Sequence, residues 1–345
     1  MSNGRSVVCA LDKGTTWGTA VSVNGSNKGI LLTDSSGFHV APEQLQDLSA
    51  GFAQLEYIDN GSLVVAPSLN MALRFEGQLM MLLAMVMGQD SISGAGPEYT
   101  HAMTLQNLSS VFGTLCLYDG VTVREIPSFK PTGFTISGSA GGYMELEVNG
   151  IGDNVLYTGQ TNTALSSVTY KTNTLRIPFG IGQIMMNAES SGALSYSIDG
   201  VCPTSWEFSI QRQMEQDFTA CGNTIGANAS KTSEPVDGGH IETMLSLEFP
   251  EYTADDGFDD VVAGTTQKCQ IILLGELISS AEYRVDIKLP SLKPVDAVAD
   301  ISGPGRIGNT LTFQALKAQS APTGMTGITE PKLTITNTDS AGYLA

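Results

Sequence analysis

Alternation of apolar and polar residues dominates the chain and predicts β-strands. In Gly61–Phe75 apolar residues recur at alternate positions, and the same pattern returns in Tyr143–Asn149, Thr204–Arg212 and Gly239–Phe249. Successive side chains of a strand point to opposite faces, so this period is typical of strands with one buried face. These segments therefore predict sheets with an apolar side and a polar side.

Two short segments have the features of helices. Glu76–Gly88 is almost wholly apolar, with a carboxylate at its start and a glycine at its end. Ala254–Ala263 follows a threonine that can cap it and carries aspartates in its first turn. Acidic residues at the start and glycine after the end are helix boundary signals. Each predicted helix follows one of the long alternating strands.

One motif occurs twice. Ile126–Pro131 (IPSFKP) recurs 163 residues later as Leu289–Pro294 (LPSLKP), and each copy precedes Ile-Ser-Gly, a glycine-rich turn and an alternating strand. Such self-similarity predicts a repeated structural unit. We therefore predict a mainly β protein of two tandem β-sandwich or tube-type units, each with one short flanking α-helix. The first unit spans residues 1–170, the second 171–318, and a C-terminal extension, either a further strand or a tail, spans 319–345.

The charge balance narrows the classes of partner. The chain has 17 Lys and Arg against 35 Asp and Glu, a net charge of −18. A net negative field of this size argues against a protein that grips nucleic acid or anionic lipid through phosphates. Five cysteines without a CxxC spacing favour reduced thiols and synthesis in a cytoplasm. The most apolar segment, Leu79–Met87, is too short to cross a bilayer, so we expect no membrane partner.

No group of residues predicts catalysis, a cofactor or a metal. His39, His101 and His240 are dispersed, and no serine lies in a GxSxG motif. The aspartates between residues 255 and 260 lack the spacing of an EF-hand loop. We therefore predict no catalytic residue, no cofactor and no metal site, and a protein that is not an enzyme.

Several predicted strands place carboxylates on the face opposite their apolar residues. The set comprises Glu145, Glu147, Glu207, Glu242 and Glu248. They form either an ordinary solvated sheet face or an acidic surface shared by several copies of the chain.

The first predicted helix is apolar nearly all round. Its candidate contact residues are Leu79, Met80, Leu83 and Met87. A helix of this kind lies deep in a core or is covered by another subunit, and the sequence leaves both alternatives open.

The order of these segments resembles the tail tube protein, or major tail protein, of long-tailed bacteriophages. The resemblance rests on RFEGQLMMLLAMVMG, EYTHAMTLQ, GTLCLYDGVTVREIPSF and KPTGFTISGSAGGYMELEVNG in the first half, and on LPSLKPVDAVADISGPGRIGNTLTFQAL in the second. It covers residues 25 to 317. It implies two packed β-sheets flanked by a helix, in rings that stack into a hollow tube through which genomic DNA leaves the capsid.

Ordinary members of that family have one unit and form hexameric rings, so a duplicated unit implies a trimeric, pseudo-hexameric ring. The resemblance also implies other tail proteins as partners, namely the tape measure, tail terminator and tail tip proteins. Double-stranded DNA would pass through without specific binding, and the chain, made in the host cytoplasm, would reside in the virion tail. The five carboxylates become candidates for the lumen, because acidic walls repel DNA weakly.

Two long segments, at 41–60 and 214–239, precede the central strand of each repeat. We expect them to be loops that contact the next ring, with Gln44, Asp47, Phe218 and Asn223 as candidate contact residues. Two alternatives come from other classes. One is an adhesin or receptor-binding β-protein of a virion or cell surface, and the other is a β-sandwich hydrolase.

Overall fold

A computed structural model of the chain describes residues 7–33, 36–46, 58–171, 175–219, 231–251, 256–300 and 307–345. Strands hold 51% of the residues and helices 8%, so the mainly β class predicted from the sequence is confirmed.

In the part of the first half that the structure describes there are nine strands and one helix. The strands are β1 (Val8–Lys13), β2 (Gly29–Ile30), β3 (Gly37–Gln46), β4 (Ile58–Ala72), β5 (Gly88–Ala95), β6 (Glu98–Leu105), β7 (Gly113–Tyr118), β8 (Val123–Ser139) and β9 (Glu145–Gly152). Helix α1 (Leu79–Met87) lies between β4 and β5. It ends at Gly88, whose φ of +88° is the left-handed conformation that glycine adopts without strain.

Among the described residues the second half contains twelve strands and two α-helices. The strands are β10 (Gly182–Ala188), β11 (Gly200–Val201), β12 (Ser205–Gln211), β13 (Met214–Glu215), β14 (Phe218–Thr219), β15 (Lys231–Thr232), β16 (Val236–Asp237), β17 (Glu242–Phe249), β18 (Gln267–Leu277), β19 (Glu282–Asp300), β20 (Gly308–Leu316) and β21 (Lys332–Asn337). The helices are α2 (Tyr196–Asp199) and α3 (Asp256–Ala263). The predicted start of the second helix, before residue 256, lies outside the described residues.

The two halves contain the same strand pairings. In the first half β1 pairs with β2 and β7, β4 with β3 and β9, and β8 with β7 and β9. In the second half β10 pairs with β11 and β18, β17 with β12 and β20, and β19 with β18 and β20. All these pairs are antiparallel. Each strand named here therefore has a counterpart with equivalent neighbours in the other half.

The two motif copies lie in the longest strands, β8 and β19, at matching positions. Pairing of β8 with β9 is interrupted between Pro131 and Gly133, and pairing of β19 with β20 between Pro294 and Asp296. Proline has no N–H to donate to a ladder, and a bulge bends the strand that contains it. Both long strands therefore have a bulge at the same point of the motif.

The halves join into one sheet at two places. Strand β12 pairs with β8, from Ser205 opposite Ser139 to Gln211 opposite Gly133. A Cβ at Gly133 would lie 2.5 Å from the Ile210 carbonyl oxygen, so this close approach requires glycine. At the second place β21 lies between β6 and β19.

Helix α1 is buried by the chain itself. All nine of its residues belong to the hydrophobic core, and none is more than 7% exposed. The structure therefore places Leu79, Met80, Leu83 and Met87 in the core of the chain, the first of the two alternatives that the sequence left open. An unbroken apolar surface on a helix this short lets strands pack on every side.

The predicted acidic first turn of this helix is also wrong. Glu76 precedes the helix, is buried, and accepts a hydrogen bond from Thr338 Oγ1 at 2.6 Å. Lys171 Nζ lies 3.5 Å from the same carboxylate oxygen. Glu76 therefore holds the C-terminal segment in place.

That segment is a strand of the fold rather than a tail. Leu333 lies opposite both Met103 of β6 and Ile287 of β19, and its side chain is buried. Beyond the strand, Tyr343 donates its backbone N–H to Asp90 Oδ2 at 2.7 Å. His101 Nε2 lies 2.9 Å from the Asp339 carbonyl oxygen, and its Nδ1 lies 3.2 Å from Asp90 Oδ2. The last residues thus close the fold over a buried histidine.

His101 makes the stability of this closure depend on pH. Burial alone would lower the pKa of His101, but the Asp90 carboxylate and the Asp339 carbonyl outweigh it and raise the pKa above its ordinary value. The stabilisation is therefore complete below the ordinary histidine pKa of about 6.5 and is lost as pH rises through the higher pKa of the folded protein. We expect the melting temperature to fall as pH rises above about 6.5.

Replacing His101 with Gln should remove this component of the pH dependence, because glutamine does not titrate. Thermal denaturation of both proteins across the same pH range measures it. A His240→Gln variant, changed at an exposed histidine, is the matched control and should keep the wild-type slope. Parallel profiles for wild type and His101→Gln would contradict the assignment.

Candidate functional site

The five candidate carboxylates lie on strands with one buried and one exposed face. On β9, Glu145 and Glu147 are exposed while Leu146 and Val148 are buried. On β12, Glu207 is exposed between buried Trp206 and Phe208. Glu242 and Glu248 are likewise exposed on β17. Alternation along each strand therefore sends the apolar groups into the core and the carboxylates outward.

Cross-strand register places all five on the same side of one continuous surface. Ser137 of β8 lies opposite Glu145 on one side and opposite Glu207 on the other. Glu207 lies opposite Ser246 of β17, which shares its face with Glu242 and Glu248. Directly opposed residues of neighbouring strands point the same way. We call this surface, formed by β4, β9, β8, β12, β17 and β20, the carboxylate face.

Hydroxyl and amide side chains occupy most positions between the carboxylates, and Met244 and Ala72 are apolar exceptions. The hydroxyl and amide residues include Asn70, Thr135, Ser137, Asn149, Ser205, Ser209, Ser246, Thr310 and Thr312. Asn149 Nδ2 donates to Glu147 Oε1 at 3.0 Å, and Ser205 Oγ donates to Glu248 Oε2 at 2.5 Å. The carboxylate face is thus polar and hydrogen-bonded within itself.

Basic residues are absent from the six strand segments that form this face. The segments are 66–72, 133–139, 145–151, 205–211, 242–248 and 308–312, all among the described residues. Asp296 of β19, opposite Thr312, adds a further exposed carboxylate that the sequence analysis did not select. The six segments therefore carry carboxylates without a basic side chain among them, and on β19 the exposed Lys293, opposite Gln314 of β20, points to the same side.

A buried lysine marks the junction of the two halves beside this face. Lys130, in the first motif copy, is fully buried, and its Nζ donates to the carbonyl oxygens of Leu108 and Pro235, each at 2.7 Å. The same Nζ lies 2.8 Å from Glu234 Oε1. The ammonium group thus binds the second half of the chain to the first.

Arg212 makes a second polar connection. Its Nε donates to the Val86 carbonyl oxygen at 2.7 Å, at the end of α1, and its Nη1 lies 3.0 Å from Asp237 Oδ2. Burial lowers the pKa of Arg212, and the Asp237 carboxylate opposes that shift. The guanidinium satisfies carbonyls that the end of a helix leaves unpaired. Sequence reasoning missed both cations, although the motif repeat contains the lysine.

The structure changes the description of the predicted inter-ring loops. Gln44 is a residue of β3 and lies opposite Asn60 of β4, so the described parts of the predicted loop at 41–60, residues 41–46 and 58–60, are paired strands. Phe218 lies opposite Thr232 in a short two-stranded ladder. Asp47 and Asn223 lie outside the described residues. The loop assignment is therefore wrong for Gln44 and Phe218, because their backbones pair across hairpins.

The described residues contain no group of three potential metal ligands. The same part of the chain has no helix that is long and apolar enough to cross a membrane. His101 has both ring nitrogens engaged by Asp90 and Asp339, which is a structural arrangement.

A known protein family matches this chain. A family model described as phage tail tube protein matches residues 4–315. A chain in the cryo-electron microscopy structure of the anti-feeding prophage baseplate, sixfold symmetrised, is 16% identical, with 39% of this chain and 88% of that chain covered and a TM-score of 0.25. No curated protein sequence matches the chain.

Proposed function

The chain belongs to the phage tail tube protein family, and from that premise we propose that three copies close a ring, that rings stack into a tail tube, and that the carboxylate face lines the lumen. Family membership makes it a structural protein of the virion tail, which assembles with copies of itself and with other tail components. The continuity of the carboxylate face across both halves is the observation that carries the lumen proposal.

The pairing pattern of the halves supports the proposal of three chains per ring. Seven strands of each half have counterparts with equivalent neighbours, and β12 of the second half pairs with β8 of the first. A ring requires a contact between two different edges whose rotation closes. If each half is one unit, the β8–β12 junction is one such contact and three chains supply six units. The hexameric rings of single-unit members are then matched by a trimer.

The chemistry of the carboxylate face suits a channel for DNA. Duplex DNA carries about one negative charge per 1.7 Å of its axis. Lysines or arginines on the wall would bind phosphates and slow passage, whereas carboxylates and hydroxyls repel the duplex weakly and hold water. Screening confines the repulsion to about 8–10 Å at physiological salt. The genome would therefore leave the capsid through this lumen without specific binding.

The hairpins are proposed to contact the next ring. Strands β3 and β4 form one hairpin, and the short ladders β13–β16 and β14–β15 form its counterpart between β12 and β17. Both lie between corresponding strands of the two halves, so in stacked rings they would make equivalent contacts with the next ring. Gln44 and Phe218 remain the candidate contact residues within the described strands.

Electron microscopy of the purified chain tests the assembly. We expect tubes or stacked rings of uniform bore. Isolated trimers that never stack would contradict the tube and favour the adhesin alternative.

Reversing lumen charge should make the tube retain DNA. A Glu145→Lys, Glu207→Lys, Glu248→Lys variant replaces three exposed carboxylates per chain with cations, which bind phosphates by releasing counterions. We expect assembled variant tubes to hold nuclease-protected duplex DNA at about 50 mM salt and to release it at about 500 mM salt, while wild-type tubes hold none. Sedimentation of tubes with labelled duplex DNA, followed by nuclease treatment, measures this.

A Glu276→Lys variant is the control, because Glu276 is exposed on β18, away from the carboxylate face. DNA bound to its outer charges should be digested. Equal nuclease protection in both variants, or none in the triple variant, would contradict the lumen assignment.

A further inference from the structure

We propose that neighbouring chains join by pairing β3 of one chain with the C-terminal part of β19 of the next, in the register that β12 and β8 adopt within each chain. The inference rests on the proposed ring and specifies the contact that closes it. The partner is a second copy of this chain.

Two strand edges are available for this contact. Residues 37–41 of β3 pair with β4, and residues 296–300 of β19 pair with β20. No other strand among the described residues pairs with either segment. An unpaired edge presents N–H and C=O groups that another strand can join. Each chain thus offers one such edge from each half.

These edges are the counterparts of the two strands that meet inside the chain. Val148 of β9 and Leu311 of β20 are 163 residues apart, like the motif copies. They lie opposite Leu69 of β4 and Leu247 of β17, which fixes the correspondence of those two strands. The other neighbour of β4 is β3, and the other neighbour of β17 is β12. Strand β3 is therefore the counterpart of β12.

The same correspondence gives the residue register. Ser68 of β4 corresponds to Ser246 of β17, and these residues lie opposite Gly37 and Glu207. Gly37 therefore occupies the place of Glu207, and His39 that of Ser209.

The internal junction then defines the contact between chains. Within the chain Ser209 lies opposite Thr135, and the counterpart of Thr135 in β19 is Val298. His39 of one chain should lie opposite Val298 of the next, within a ladder from Gly37–Asp300 to Val40–Ala297. The ladder should stop before Asp296. Its counterpart, Gly133, lies so close to the paired strand that a Cβ there would clash with the backbone, and Asp296 has a Cβ.

The motif lysines support the same contact. Lys130 is fully buried against the other half of the chain, and its counterpart Lys293 is exposed. Both lie next to the bulge of their strand, opposite Ile151 and Gln314 respectively. A neighbouring chain docked on β19 would approach Lys293 from the side from which the second half covers Lys130.

Cysteine cross-linking in assembled rings tests the register. His39→Cys and Val298→Cys are combined in a chain whose Cys202 and Cys221 are replaced by serine, because Cys202 is exposed and Cys221 lies outside the described residues. After assembly and mild oxidation, we expect non-reducing denaturing electrophoresis to show linked species up to three chains. Directly opposed residues place cysteines within disulfide reach, so linking should be about tenfold faster than for a pair displaced by one residue.

Two further cysteine pairs serve as controls. Thr135→Cys with Ser209→Cys occupies the same register inside the chain and should link without joining chains. Phe38→Cys with Val298→Cys represents a one-residue slip and should link slowly. Rings that form but link faster through the slipped pair, or through neither pair, would overturn this register and leave the tube proposal intact.

Amide hydrogen exchange of the unmodified protein gives a second readout. Residues 37–40 and 297–300 should gain protection when rings form. If the chain forms no rings, the proposed function fails, and this contact fails with it.

Discussion

Deleting residues 331–345 is expected to leave a chain that does not form a stable monomer. The deletion removes β21, and with it the pairings of β21 with β6 and with β19 and the buried side chains of Leu333 and Ile335. It also removes Tyr343 and Thr338. Loss of Thr338 deprives the buried Glu76 carboxylate of the hydrogen bond that the Thr338 hydroxyl donates in the full-length chain. The combined loss should exceed about 5 kcal/mol, which is comparable to the whole stability of many domains.

Circular dichroism and soluble yield at equal expression measure this effect. Leu333→Ala should reproduce part of it, at about 2–5 kcal/mol, because it opens a cavity between two strands. Thr334→Ala, at the next position of the same strand, is the matched control and should cost less than about 1 kcal/mol. A truncated chain that melts like the wild type would show that the C-terminal segment is dispensable.

Replacing Lys130 with Ala is expected to lower the free energy of unfolding by about 3 kcal/mol. The change leaves two buried carbonyl oxygens and the Glu234 carboxylate without their shared donor. Lys293→Ala, at the same position of the second motif copy, changes an exposed side chain and should alter the monomer by less than about 0.5 kcal/mol. Denaturant titration of both variants under conditions that keep the chain monomeric measures the difference.

The contrast between the two lysines separates two explanations of the repeat. Similar sequences would predict similar effects if each motif stabilised only its own half. The structure instead places one lysine at a junction inside the chain and leaves the other exposed. Equal losses of stability would contradict the description of the junction.

Local sequence patterns were sufficient to predict the strands that bear the five carboxylates and the outward direction of those carboxylates. Period-two alternation placed Glu145 and Glu147 outward on one strand and Glu207 on another, because neighbouring positions of a strand face opposite sides. Alternation within each strand could not predict that these strands lie in one sheet and share a surface. That result depends on β12 pairing with β8 across more than sixty residues of chain, a contact without a local signal.

The sequence also could not show which polar side chains are buried, because their burial depends on contacts between distant parts of the chain. Lys130 and Arg212 look in the sequence like ordinary surface cations, and only the packing of the two halves desolvates them. The hairpin at β3 and β4 was missed because Pro42 and the polar residues around it interrupt the alternation. The helix at Leu79–Met87 was ambiguous, since burial in a core and burial by a subunit require the same apolar surface.

The central claim is that one chain supplies two equivalent units to a closed ring. Native mass measurement of single rings released from tubes tests it most directly. We expect three chains in each ring, with threefold symmetry and six similar units around the bore. Rings of six chains would contradict the account, because each chain would then contribute a single unit.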